Sequence, residues 1–253
     1  MKSILRLFLA NEEMRRVFCF LRAFYFCRIK KRMKNLNNVT EDTWKNTLGS
    51  NQRAIYDKNI DLPKHPRKKS IFDLGLSHSG GKSNWLLSAI KHKYKKHEIN
   101  KLKILSIGPR SEGEIFNIFS YGFELKNITG VDLFTYSPLI QLSDMHELNL
   151  KNEQFDIVLM GWCLAYSNNK IKAISEAKRV LKKNGSLIIG YSISNKTDDE
   201  IVKERGYLVG SPFEKIRSMN DLDNIVSSIG FKKFYSKIID KIVSKRLIYA
   251  ATK

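Results

Sequence analysis

Short apolar runs alternate with stretches of helical period through the second half of the chain, and that alternation sets the kind of fold to expect. Residues 104–107 and 128–133 are short, rich in β-branched side chains and apolar nearly throughout, as strands buried on both faces of a parallel sheet are. Between them Ile115, Ile118 and Phe119 recur at helical spacing. The stretch predicts strand, tight turn, helix, strand: one right-handed βαβ unit, whose first turn is where such folds bind nucleotide-like ligands. Further strands are expected at 139–142, 155–162 and 186–191, with a helix over 170–183 capped near Gly185. Residues 195–219 are polar without a period and read as an excursion over the site. Leu222, Ile225 and Val226 mark a helix ended by Gly230, and 234–239 and 246–251 suit two closing strands. No internal repeat or low-complexity tract is present.

Upstream the pattern changes. Residues 1–36 contain no Pro or Gly and place Met14, Val17, Phe18, Leu21, Phe24 and Tyr25 at helical spacing, which predicts one helix. Residues 37–67 hold no sustained period and carry Pro63 and Pro66, so they read as a linker on which Trp44 and Tyr56 dock to the following domain. The run Gly81-Lys82-Ser83 has the ending of a phosphate loop, but the glycine required five positions before Gly81 is Leu76, and Gly75 stands one too far. A Gly-rich turn leading into a helix that caps a cleft is the preferred reading. The expected division is 1–36, a basic aromatic helix; 37–100, linker and cap; and 101–253, an α/β domain.

Composition changes this picture in three places. With 253 residues and 42% apolar content, the chain can bury a real core. A formal net charge of +20 invites an anionic partner, although abundant Lys, Asn and Ile are also what AT-rich coding would produce, so nucleic acid is the lesser expectation. Cys19, Cys27 and Cys163 are scattered, without ligand spacing, and suit free thiols in a reducing cytosol; no metal site is expected. Arg22 interrupts the best apolar stretch, so no spanning helix is predicted, and no secretory signal precedes it. The basic run over 28–34 beside the aromatic helix suits an anionic lipid surface, which would place the protein in the cytoplasm with peripheral contact at the inner membrane. On this reading the first 34 residues are a detachable localisation element. The alternative is that the helix packs on its own domain or on a second copy, as a homodimer.

With those elements in view, residues 103–193 resemble the class I S-adenosylmethionine-dependent methyltransferases, above all members that act on small molecules and lipids. Four blocks carry the resemblance in order: the turn at Gly108, Asp132 ending the second strand, the pair Asp144-Met145, and the run from Phe155-Asp156-Ile157-Val158 through Glu176 to Ile189. The resemblance implies a Rossmann-like methyltransferase fold with a seven-stranded, mostly parallel sheet in the order 3-2-1-4-5-7-6, carrying an N-terminal helical extension. It implies S-adenosylmethionine as cofactor, and methyl transfer to a small-molecule, lipid or saccharide-precursor acceptor. Two other readings stay open: a binding module without turnover, and an RNA methyltransferase using the basic segment.

The same resemblance distributes roles. Gly108, Pro109 and the following turn would meet the cofactor, Asp132 with Leu133 its ribose, Asp144 and Met145 its adenine, and Gly161 and Trp162 its methionine part. Family members carry an acid and then Gly-x-Gly-x-Gly where this chain has Ser106 and then Gly108-Pro109-Arg110-Ser111-Glu112. Arg110 could pair with the cofactor carboxylate and Glu112 take the ammonium contact, or the two could pair with each other. Tyr166 stands where many relatives have His, and Tyr166 and His146 are the candidate catalytic proton acceptors.

Overall fold

Seven strands hydrogen-bond into one sheet: β1 (Ile104–Ile107), β2 (Ile128–Asp132), β3 (Ile140–Leu142), β4 (Phe155–Gly161), β5 (Leu181–Ser194), β6 (Lys232–Lys241) and β7 (Ser244–Thr252). Their order is β3-β2-β1-β4-β5-β7-β6, as the resemblance implies. The first five run parallel, and β7 lies antiparallel between β5 and β6. The computed structural model describes residues 2–27, 83–109, 111–133, 135, 137–205, 215–241 and 244–253. Expectations for the basic run at 28–34, the linker with Trp44 and Tyr56, and Gly81-Lys82 lie outside the described residues.

Alternation along the strands sorts side chains to two cores. Leu105, Ile107, Val158, Met160, Leu187 and Leu247 face one way, against α5 (Lys170–Val180) and α7 (Met219–Ser228). Ile104, Ile157, Leu159, Ile188 and Ile248 face the other, against α3 (Ser83–Ile90) and α4 (Glu112–Tyr121). Leu86, Leu87 and Ile90 of α3 are fully buried there, so the packed unit begins upstream of residue 101. Ser218 and Asp221 close a capping box at the start of α7, and Gly230 follows its end at φ 85°.

Three element boundaries differ from expectation. The helix α5 stops at Val180, because Leu181 already pairs with Phe155 as the first residue of β5. Asn184 at φ 61° and Gly185 therefore turn the chain inside β5 rather than cap a helix. The polar excursion contains a helix, α6 (Asp198–Arg205), whose Asp198 pairs with Lys215 and Arg217. The N-terminal helix is two helices, α1 (Lys2–Ala10) and α2 (Glu12–Cys27), because the Asn11 side chain accepts from Met14 N and starts a new one.

Both N-terminal helices pack on α4, so packing on the chain's own domain, and not the detachable arrangement, is what the structure has. Lys2 and Arg6 of α1 pair with Glu124, just past the end of α4. Arg22 of α2 holds Glu112, at its beginning, through Nε at 2.5 Å and Nη2 at 2.9 Å. Arg15 turns inward and donates to Leu9 O and Ala10 O, satisfying carbonyls at the end of α1. The ring of Phe18 meets Phe116 edge-on, with centroids 5.1 Å apart.

Because Glu112 is wholly buried while Arg22 keeps 27% of its side chain in solvent, Arg22→Ala is expected to cost about 2–3 kcal/mol, somewhat below the loss seen when a fully buried pair is broken. Thermal unfolding should show a drop of several degrees, with Arg22→Lys intermediate because an ammonium cannot reproduce the two-point contact. An unchanged melting curve would mean that the N-terminal layer does not bear on the fold.

Candidate functional site

Register brings the site together. Ile107 pairs with Val131 on one side and Met160 on the other, so the next residues, Gly108, Asp132 and Gly161, stand level at the carboxyl ends of three adjacent parallel strands. Order reverses between β1 and β4, and such a switch point opens the crevice in which open α/β sheets bind ligands. Gly108 has φ 73°, and a Cβ there would lie 2.6 Å from the Cβ of Cys163. Only glycine permits both the turn and that approach. Pro109 follows, buried, and the side chain of Ser111 accepts from Gly113 N to start α4.

Below the turn lies a buried carboxyl. Ser106 of β1 faces α4 and donates from Oγ to Oε1 of Glu114. The Oε2 atom of Glu114 lies 3.3 Å from the position a Cβ would take on Gly161. Burial raises the Glu114 carboxyl to about 7, the nearby charge of Asp132 adds to that, and the Ser106 hydrogen bond opposes it. The thiol of Cys163 donates to Ile107 O and is pushed up by burial, Glu114 and Asp132. Trp162 follows β4 at φ 63°, a backbone region uncommon for a bulky residue, fixed by its N–H donating to Gly190 O. Its indole Nε1 is buried without an acceptor among the described residues.

A relay joins the loop after β3 to the loop after β4. His146 Nδ1 lies 2.6 Å from Asp144 Oδ1 and Nε2 lies 2.7 Å from Ser167 Oγ. With a neutral ring, Nδ1–H donates to the carboxylate and Nε2 accepts from the hydroxyl. Burial pushes the Asp144 carboxyl up, yet hydrogen bonds from the His146 ring and backbone outweigh it and hold the group below its ordinary value. Met145 is buried beside them, while Tyr166, in a short 3₁₀ turn (Leu164–Tyr166), keeps 38% of its surface exposed.

The residues read from sequence thus collect at one sheet edge: Gly108, Pro109, Asp132 and Leu133 at β1 and β2, Asp144, Met145 and His146 after β3, Gly161 at the end of β4, and Trp162 and Tyr166 after it. Asp132 Oδ1 accepts from Leu133 N. Arg110 lies outside the described residues. Glu112 turns towards the N-terminal layer, where Arg22 and Ser137 Oγ, at 2.5 Å, meet its carboxylate. Sequence reading missed Glu114 and Ser167. A signal for Glu114 was present: it stands four residues before Ile118, on the apolar arc of its helix.

Residues 105–189, from β1 into β5, match the family model described as a methyltransferase domain. Over those residues the chain is similar to methyltransferase domains. An uncharacterized protein of Methanocaldococcus jannaschii is 31% identical to this chain over 105 residues, 38% of the chain and 50% of that protein, so the chain spans half the length of the curated relative it matches. Among solved structures, the MccD protein aligns over 67% of this chain and 96% of its own at 14% identity and a TM-score of 0.53. The Haemonchus contortus phospholethanolamine N-methyltransferase 2, solved with phosphomonomethylethanolamine and S-adenosylhomocysteine, aligns over 67% of this chain and 52% of its own at 14% identity and a TM-score of 0.50. Both likenesses are of fold.

The turn at Gly108 tolerates no side chain. Gly108→Ala is expected to destabilise by about 2–4 kcal/mol, combining a positive φ with overlap against the Cβ of Cys163. Denaturant unfolding would read the loss, and a variant within experimental error of the wild type would overturn the close-approach argument.

Proposed function

We propose that the chain binds S-adenosylmethionine at the β1–β4 edge and transfers its methyl group to a small-molecule acceptor. The observation that carries this reading is the coincidence of the family match with the strands whose ends bring Gly108, Asp132 and Gly161 level. The residues present suit the cofactor: a glycine turn at Gly108 where β1 ends, a strand-end carboxylate at Asp132, and a buried indole N–H at Trp162 without an acceptor among the described residues. When bound, the cofactor supplies a methyl group already activated by a sulfonium. The chain's work is then to orient and to manage a proton. Asp132 accepts from the ribose hydroxyls, Asp144 and Met145 hold the adenine side, and Tyr166, at the exposed rim, is the residue placed to take the acceptor's proton or hold the water that does. His146 has both ring nitrogens engaged, which makes it a positioning residue for Asp144 and Ser167. A small amine-bearing acceptor is favoured by the fold likeness to an enzyme solved with phosphomonomethylethanolamine.

Titration calorimetry tests the cofactor reading. Wild type should bind S-adenosylmethionine and its demethylated product, and Asp132→Ala should weaken both by about tenfold or more through the lost hydrogen bonds. Absence of binding by the wild type would remove the reading. Bound cofactor with no turnover across a panel of amines, lipids and sugar nucleotides would favour the binding module.

A second proposal concerns the N-terminal layer: we infer that it meets an anionic lipid surface while docked. Met14, Val17, Leu21 and Tyr25 form one exposed stripe along α2, Ile4 and Leu7 are exposed on α1, and seven residues carrying five cations follow at 28–34. Among the described residues no helix is long and apolar enough to cross a membrane, so contact would be peripheral. Full-length protein should co-sediment with anionic but not neutral vesicles, and Leu21→Glu should abolish this without changing the melting temperature. Sedimentation unaffected by Leu21→Glu, or salt-sensitive binding to RNA in its place, would overturn the proposal.

A further inference from the structure

Two acids stand in the first turn of α4, and the structure treats them oppositely. Glu112 is matched by the Arg22 guanidinium and the Ser137 hydroxyl. Glu114 has the Ser106 hydroxyl and no cation paired with it among the described residues. A buried carboxyl without a counter-ion is costly in its charged form, and a protein that keeps one beside a ligand crevice has left the counter-charge to the ligand. The position is also specific. Ser106 stands on β1 where the family resemblance implies an acid, and Glu114 reaches that residue from the helix with one oxygen while the other approaches Gly161 at the end of β4. Only 8% of Glu114 is open to solvent, so its environment is set by protein and bound ligand rather than by water.

We propose that Glu114 receives the ammonium group at the amino-acid end of S-adenosylmethionine, supplying from α4 the carboxylate that β1 lacks at Ser106. This rests on the cofactor reading above. Among the described residues, the other ionisable groups facing Glu114 are Asp132 on β2 and the Cys163 thiol after β4, and α3, which brings Leu86 against Gly161, carries no charged residue. None of these supplies a positive charge. Ligand binding therefore draws Glu114 into its anionic form and releases its proton. Because the carboxyl sits at about 7 in the free protein, affinity should rise with pH below that value and level off above it.

The experiment compares wild type with Glu114→Gln, a change of equal shape whose amide oxygen still accepts from Ser106, by calorimetry in two buffers of different ionisation enthalpy. The probes are S-adenosylhomocysteine, which has the ammonium group, and 5′-methylthioadenosine, which lacks the whole amino-acid end. Wild type is expected to release part of a proton on binding S-adenosylhomocysteine at about pH 6.5 and to bind it more tightly as pH rises towards about 7.5. Glu114→Gln should bind it about tenfold or more weakly at the upper pH, without proton release, and bind 5′-methylthioadenosine as the wild type does. The variant's melting temperature should be no lower than that of the wild type, since an unpaired buried acid is removed. Unaltered S-adenosylhomocysteine affinity in the variant, equal weakening of both probes, or no proton release from the wild type would overturn the inference alone. Failure of the wild type to bind either probe would overturn the cofactor reading and the inference with it.

Discussion

A carboxylate with no access to water has to be met by protein, and Glu112 is met by two parts of the chain remote from each other in sequence. Arg22 comes from the N-terminal layer and Ser137 from the loop after β2, and both close on the first turn of the helix that follows the glycine turn. That helix start favours negative charge on its own account, since its first N–H groups point outward along the dipole. The consequence is architectural: α2, α4 and the β2–β3 loop are fixed to one another at the end of the sheet where the site lies. The opposite end of α4 is held as well, through Lys2 and Arg6 on Glu124. Residues 2–27 are therefore a layer of the domain, and their exposed apolar stripe is presented from a rigid base.

At the sheet edge, geometry comes from register and chemistry from loops. Parallel pairing places Gly108, Asp132 and Gly161 level, which requires nothing of the side chains beyond strand packing. What makes the edge distinctive is the space left by small residues. Gly108 admits Cys163, while Gly161 admits Leu86 and the Glu114 carboxylate. Trp162 is then turned into a positive φ and packs its ring against Gly190. A single added methyl at any of these positions would meet another element within 3.3 Å, so the edge is close-packed on its protein side.

How far the sequence foretold this depends on whether the deciding contacts are local. The βαβ unit from Ile104 to Asp132 was legible because short β-branched runs and a helical period are written within a few residues of each other. Strand order was not written in any such pattern and came from the family resemblance. The end of α5 was misjudged because Lys182 and Lys183 are good helix formers and Gly185 has the look of a cap, whereas pairing of Leu181 with Phe155 draws the chain into the sheet three residues sooner. The break at Asn11 was local but quiet, a capping side chain inside a stretch of strong helix formers. The placements of Asp132 and Gly161 at strand ends were legible, while Asp144, expected to end the third strand, lies two residues past β3. Burial of Glu114 depends on β1, β4 and α3 together, and an acid in a helix's first turn ordinarily needs no explanation beyond the dipole. The Ser167 contact was hidden for a similar reason, since its partner lies twenty-one residues away.

The His146 ring has a mechanical meaning beyond its hydrogen bonds. It is a flat ring held at both edges, by Asp144 in the loop after β3 and by Ser167 on the side of Tyr166. The bond from Nε2 to Ser167 Oγ is what ties the two loops together through this ring, so a displacement of one loop that keeps the bond is carried to the other. Two ligands seated on those loops would sense each other by reciprocal linkage, each altering the other's dissociation constant by the same factor. Order of addition would then leave that factor unchanged, and the loop pair would work as a single hinged jaw whose pin is an imidazole.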